Sequence, residues 1–153
     1  MKDDLGLNSK FYAKEDFKEY LEKGADYYKK YPDWENILKH VDIDLQLDFL
    51  KKCFKRNLVE NKELTFEDLE SFFKNKCLIV PCINRNVLKN KEGFVGHFVL
   101  ITNIAEDYVE FHDPGLPPIQ NRKVGKEEFI KSFYDPNTAR WALVVSGKKN
   151  DKN

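Results

Sequence analysis

The reading of this chain turns on Gly96-His97-Phe98-Val99-Leu100-Ile101-Thr102-Asn103, followed by Phe111-His112-Asp113-Pro114-Gly115. Two alternating runs, His97 to Thr102 and Tyr108 to Phe111, flank the polar segment Asn103 to Asp107 and predict a hairpin with a short loop. A turn centred on Ala105 sets His97 opposite Asp113, with Val99 beside Phe111 and Ile101 beside Val109 on the same face. An imidazole and a carboxylate then share the open end of one hairpin. A carboxylate that accepts a hydrogen bond from one ring nitrogen fixes the tautomer and leaves the other nitrogen as a general base. His97 and Asp113 are therefore the candidate catalytic residues, as base and orienter, and a nucleophile is the part still to be found.

At 153 residues, with 41% hydrophobic residues including 12 Phe and 7 Tyr, the chain holds one core and is expected to form a single domain over 1–153. Lys plus Arg equals Asp plus Glu at 26 each, so no global field favours nucleic acid or an anionic membrane. The basic run Lys51-Lys52-Cys53-Phe54-Lys55-Arg56 reads as the solvated side of a helix. No apolar run approaches the ~20 residues of a membrane span, and Met1-Lys2-Asp3-Asp4-Leu5 lacks the apolar stretch of a signal peptide. A cytoplasmic protein is the expectation. Three cysteines, Cys53, Cys77 and Cys82, are too few for a disulfide framework, in keeping with a reducing compartment.

The first part, residues 1–60, reads as helical. Phe17, Tyr20, Leu21, Gly24 and Tyr28 recur at helical spacing within Glu15 to Lys30, and Pro32 ends that segment. Trp34, Ile37 and Leu38 form a short amphipathic turn, and Ile43, Leu47, Leu50 and Phe54 stripe a helix from Asp42 to Asn57. Thr65 is the predicted N-cap of a further helix, with Asp68 at the capping-box position and Phe66, Leu69, Phe72 and Phe73 facing inward.

Residues 61–147 read as the sheet part. Cys77 to Ile83 is a continuous apolar run, as in a strand buried on both faces, although Pro81 has no N–H for a ladder and belongs near an edge or an irregular pairing. A loop from Asn84 to Val95 leads to the hairpin. Asp113 to Pro118 reads as an ordered loop, Gly125 to Tyr134 as a last helix, Trp141 to Ser146 as a final strand, and Lys148 to Asn153 as a frayed tail. The fold class is α+β, a helical amino-terminal half packed on a small antiparallel sheet.

Leu64-Thr65-Phe66-Glu67-Asp68-Leu69 ahead of an apolar strand, Gly96 to Thr102, Phe111 to Gly115 and Lys126-Glu127-Glu128-Phe129 together resemble the bacteriocin-processing-type peptidases and their stand-alone relatives in the papain-like cysteine peptidase superfamily. The match is close over residues 60 to 147 and loose over 11 to 60. The resemblance implies a papain-like fold and hydrolysis of a peptide or amide bond through a thioester, with His97 as base and Asp113 as its orienter. It also implies a cysteine in a Cys-Gly context opening a helix near the amino terminus, preceded by a glutamine that helps form the oxyanion hole. Neither is present: the first cysteine is Cys53 and the only glutamines are Gln46 and Gln120. A thiolate is favoured at a helix N-terminus by free N–H groups and the dipole, whereas Cys53 falls late in its helix and reads as core filler.

Three explanations follow from that gap. The chain is the carboxy-terminal part of a longer enzyme, one half of a split site whose nucleophile comes from an amino-terminal segment or a second chain, or a member that has lost its nucleophile. The functional expectation is a cysteine peptidase-like hydrolase domain acting on a peptide or protein, incomplete or inactive alone. The rival is a non-catalytic module that keeps the fold and binds a peptide. No cofactor is expected, and no metal, because Cys77 and Cys82 are five residues apart on a strand and so face opposite ways. Asp113 also has a local role open to it, since Asp-Pro-Gly is a turn signal in which the carboxylate caps its own backbone. His112 alternates away from Asp113, His40 ends a short helix, and Asn84 and Asn86 are candidate polar groups lining the cleft.

Overall fold

The computed structural model describes residues 7–147. The expectations for Met1 to Leu5 and for the tail Lys148 to Asn153 lie outside the described residues. Among the described residues, eight strands form two sheets. One is five-stranded, in the order β2 (Val59–Asn61), β1 (Asn8–Ala13), β8 (Ala142–Ser146), β3 (Leu78–Asn84), β4 (Gly96–Phe98); the other is three-stranded, β5 (Leu100–Ile104), β6 (Tyr108–Asp113), β7 (Ile119–Gly125). The helices are α1 (Phe17–Lys23), α2 (Trp34–Lys39), α3 (Ile43–Lys55), α4 (Phe66–Lys74) and α5 (Lys126–Phe133). No helix among the described residues is long and apolar enough to cross a membrane.

The mixture of helix and sheet agrees with an α+β class, but the division into a helical first part and a purely antiparallel sheet does not hold. β1 and β2 come from the first sixty residues and belong to the sheet, and they pair in parallel through Phe11 with Val59 and Tyr12 with Glu60. Their sequences, NSKFYA and VEN, carry no run of apolar alternation. Pairing with β8, in the register Phe11 with Leu143 and Tyr12 with Ala142, supplies what local pattern does not. The segment Glu15 to Lys30 is likewise two pieces. Gly24 takes φ of 54°, which glycine adopts at little cost, and the chain continues as a 3₁₀ helix, Gly24–Lys30.

The capping box before α4 forms as the sequence indicates. The Thr65 hydroxyl accepts from the Asp68 N–H at 3.2 Å, and the Asp68 carboxylate accepts from the Thr65 N–H at 2.9 Å. α4 thereby drives Phe66 and Leu69 into a core completed by Ile79 and Ile83 of β3, Phe111 of β6, and Phe129 and Phe133 of α5. Phe111, Phe129 and Phe133 are fully buried, and each contributes roughly 1.5–3 kcal/mol on transfer from water. A second cluster around Tyr20, Tyr27 and Leu50 holds α1, the 3₁₀ helix and α3 together.

Pro81 lies in an interior strand, at an irregular pairing. Residues Leu78 to Pro81 pair with β8, and Cys82 to Asn84 pair with β4. The Pro81 carbonyl accepts from the Val99 N–H at 3.2 Å, just past the end of β4. The missing N–H thus faces the point where the ladder has ended.

Candidate active site

β4 is three residues long, and its register sets the site. Ile83 pairs with His97 and Cys82 with Phe98, so His97 shares the packed face of the sheet with Ile83 while Phe98 lies on the other face and stacks on Trp141. At Val99 the chain leaves this sheet and enters β5. The single strand expected from His97 to Thr102 is therefore broken, and its two halves serve different sheets.

The expected hairpin register is also corrected. Ile101 pairs with Phe111 and Leu100 with His112; a bulge around Thr102 then sets Asn103 opposite Glu110 and Ile104 opposite Val109. The turn closes through the Ala105 N–H to the Tyr108 carbonyl at 2.9 Å, beyond the predicted centre. Relative to a turn at Ala105 the first half of the ladder slips by two residues. A two-residue slip leaves every side chain on its original face, so Ile101 and Phe111 still point into the core.

His97 and Asp113 nevertheless meet. His97 Nε2 lies 2.5 Å from Asp113 Oδ1. The same oxygen accepts from the Gly115 N–H at 2.9 Å, so the turn-capping role of Asp-Pro-Gly and the contact with histidine coexist on one carboxylate. Asp113 Oδ2 accepts from Arg122 Nη1 at 2.9 Å, and Arg122 Nη2 reaches the Leu88 carbonyl at 3.3 Å. The Asp113 side chain is only 2% exposed. Burial raises its pKa, but the hydrogen bonds from His97, the Gly115 amide and Arg122 outweigh burial and hold it down at about 2. An ionised carboxylate only accepts hydrogen bonds, so the proton of the neutral imidazole sits on Nε2 and Nδ1 is left with its lone pair. His97 itself is 16% exposed, which leaves the ring reachable from solvent.

Arg122 is the residue that sequence reasoning missed. It sits in β7, whose run IQNRKVG reads as polar loop; only the alternation of half-buried Arg122 and Val124 with exposed neighbours marks it as a strand. Asn84 is not a cleft donor. It is 1% exposed and knits the loop, donating to the Gly93 carbonyl and Asp135 Oδ2 and accepting from the Asn86 and Val95 N–H groups. Asn86 donates to the Glu92 carbonyl. His112 accepts from the Asn121 N–H at 3.2 Å through Nδ1, away from Asp113.

A cavity of about 930 Å³ lies elsewhere, between the helical cluster and the five-stranded sheet, lined by Phe11, Leu143 and Trp141 on one side and Tyr20, Tyr27 and Phe49 on the other. Leu143 pairs with Val80, and Val80, Cys82 and Phe98 share that face, so the cavity is on the side of the sheet opposite His97.

With this geometry in place, the comparison with protein families is direct: the model of the peptidase C39 family matches residues 25–139. The chain belongs to the peptidase C39 family. No curated protein matches it. The match starts well before residue 60, so the helical part is within the resemblance to a greater extent than its motifs suggest. It spans β3, β4, β6 and the dyad, and the family is one of cysteine peptidases.

Against that family, the positions of the cysteines are informative. Cys53 is half-buried late in α3, Cys77 half-buried ahead of β3, and Cys82 buried on the face of β3 that looks away from His97. Only Cys82 is fully buried, and the reading of Cys53 as core filler holds in part. Burial pushes all three thiols up, the opposite of what an attacking thiolate requires. Gln46 is engaged in the helical cluster, accepting from the Tyr20 and Tyr28 hydroxyls at 2.7 and 3.1 Å, and Gln120 is exposed on β7.

Proposed function

We propose that His97 and Asp113 are the base and orienter of a papain-like cysteine hydrolase site for a peptide or amide bond, and that the nucleophile is none of this chain's own thiols. The observation that carries this reading is the contact of His97 Nε2 with a buried carboxylate held ionised by its hydrogen bonds from His97, the Gly115 amide and Arg122, in a chain of the peptidase C39 family. In the completed site a thiol from an amino-terminal segment or a second chain gives its proton to Nδ1 of His97, and the sulfur attacks the carbonyl carbon. The tetrahedral intermediate collapses as His97 returns the proton to the leaving amine, and water activated by the same nitrogen then hydrolyses the thioester. Asp113 stabilises the imidazolium at both stages without taking a proton itself.

The purified chain is expected to show no turnover of peptide substrates above background, because a base and an orienter do not supply the covalent step. The test compares the wild type with His97→Ala and with Cys53→Ser, Cys77→Ser and Cys82→Ser. Turnover lost in His97→Ala and in one cysteine variant alone would show that the nucleophile is internal and overturn this part of the reading. A non-catalytic peptide-binding module is the second reading, favoured by the orientation of Cys82 away from the dyad.

A further inference from the structure

Arg85 follows β3 on the face that carries His97: Ile83 pairs with His97, and two residues on the Arg85 N–H donates to the Val95 carbonyl at 2.9 Å. Its guanidinium reaches the dyad across Gly115. The position a Cβ would take on Gly115 is 3.1 Å from Arg85 Nη2 and 2.9 Å from Asp113 Oδ1, so glycine is what lets the two side chains approach. Arg85 makes no ion pair and no side-chain hydrogen bond among the described residues, and its Nε is buried with no partner at all. Asp113 does not balance this charge, because its oxygens are already taken by His97, the Gly115 amide and Arg122. With Arg122 paired to Asp113, Arg85 is left as a positive charge without an ion-pair partner across Gly115 from the dyad. A partly buried guanidinium with an orphaned N–H is costly unless an anion completes it.

We propose that Arg85 is a specificity-determining residue that receives the carboxylate of an acidic side chain in the bound peptide, next to His97. The inference rests on the reading of the His97–Asp113 site as a peptide site and names its preferred substrate class. A planar carboxylate suits the guanidinium fork, through charge-assisted hydrogen bonds that a neutral amide cannot match.

The test is an NMR titration of ring-labelled histidines in the full chain with two blocked pentapeptides of alanine and leucine, one with a central glutamate and the other with glutamine there. His40 and His112 serve as internal references for the fold. The glutamate peptide is expected to move the His97 signal and to bind about tenfold more tightly than its counterpart. That preference should vanish in Arg85→Gln, which removes no hydrogen bond of the free protein, and return in part in Arg85→Lys. Equal binding of the two peptides at His97, or a preference that survives Arg85→Gln, overturns the role of Arg85 while leaving the peptide site intact. If neither peptide moves His97, the peptide-site reading falls and this inference with it.

Discussion

Arg122→Met strips one buried carboxylate oxygen of its donor while keeping the aliphatic stem that packs near Phe111. The guanidinium carbon lies 5.7 Å from that ring, and Asp113 is 2% exposed. Removing one partner of a buried ion pair costs roughly 3–5 kcal/mol, and Arg122 is itself 17% exposed, so water offsets some of the loss. A destabilisation of about 3 kcal/mol at pH 7 is expected. The pH dependence fixes the mechanism. In the wild type the Asp113 carboxyl is depressed from 3.8 to about 2, so its stabilisation is complete above the unfolded value and is lost as pH falls through the folded one. That shift corresponds to about 2 kcal/mol. In the variant the folded carboxyl keeps the hydrogen bonds from His97 and the Gly115 amide but loses that from Arg122, and its pKa moves up, so protonation relieves the unpaired charge sooner. The gap between the two proteins should therefore narrow as pH drops from about 7 towards 3. Urea unfolding followed by tryptophan fluorescence at several pH values measures both quantities. A loss under about 1 kcal/mol that does not change with pH would refute the reasoning, since it would mean that Asp113 does not depend on Arg122.

Gly115→Ala inserts a methyl group 2.9 Å from Asp113 Oδ1 and should open the His97–Asp113 contact, at a cost of about 1–3 kcal/mol; an unshifted His97 ring signal and unchanged unfolding midpoint would contradict the packing described. Thr65→Ala removes one arm of the capping box and should destabilise the fold by about 1 kcal/mol, read by urea unfolding. Alkylation by iodoacetamide at neutral pH, followed by mass spectrometry, should be roughly tenfold slower for each cysteine in the folded chain than in the urea-unfolded one, and slowest at the buried Cys82. Fast labelling of one thiol that disappears in His97→Ala would instead reveal an activated cysteine.

What the sequence determined by itself is what local chemistry encodes. The helical stripe of α3, the Thr65–Asp68 capping box and the apolar run of β3 each follow from residue type and spacing, because caps and periodicity act within a few residues, whereas His97 and Asp113 meet from two different sheets and not through the predicted hairpin. Even the wrong hairpin register kept the right residues inward, since a slip of two preserves the faces of a strand. The tertiary structure decided the rest. β1, β2 and β7 have no periodicity of their own and become strands only because a neighbour offers a ladder. The break at Val99 that sends one apolar run into two sheets is a matter of where β4 loses its partner. Arg122, which donates to Asp113, and Arg85, which faces it across Gly115, come to the dyad from β7 and from the end of β3. In a linear sequence such arginines read as solvent-exposed charges, and they acquire their meaning only when burial and long-range packing set them against a carboxylate shielded from water.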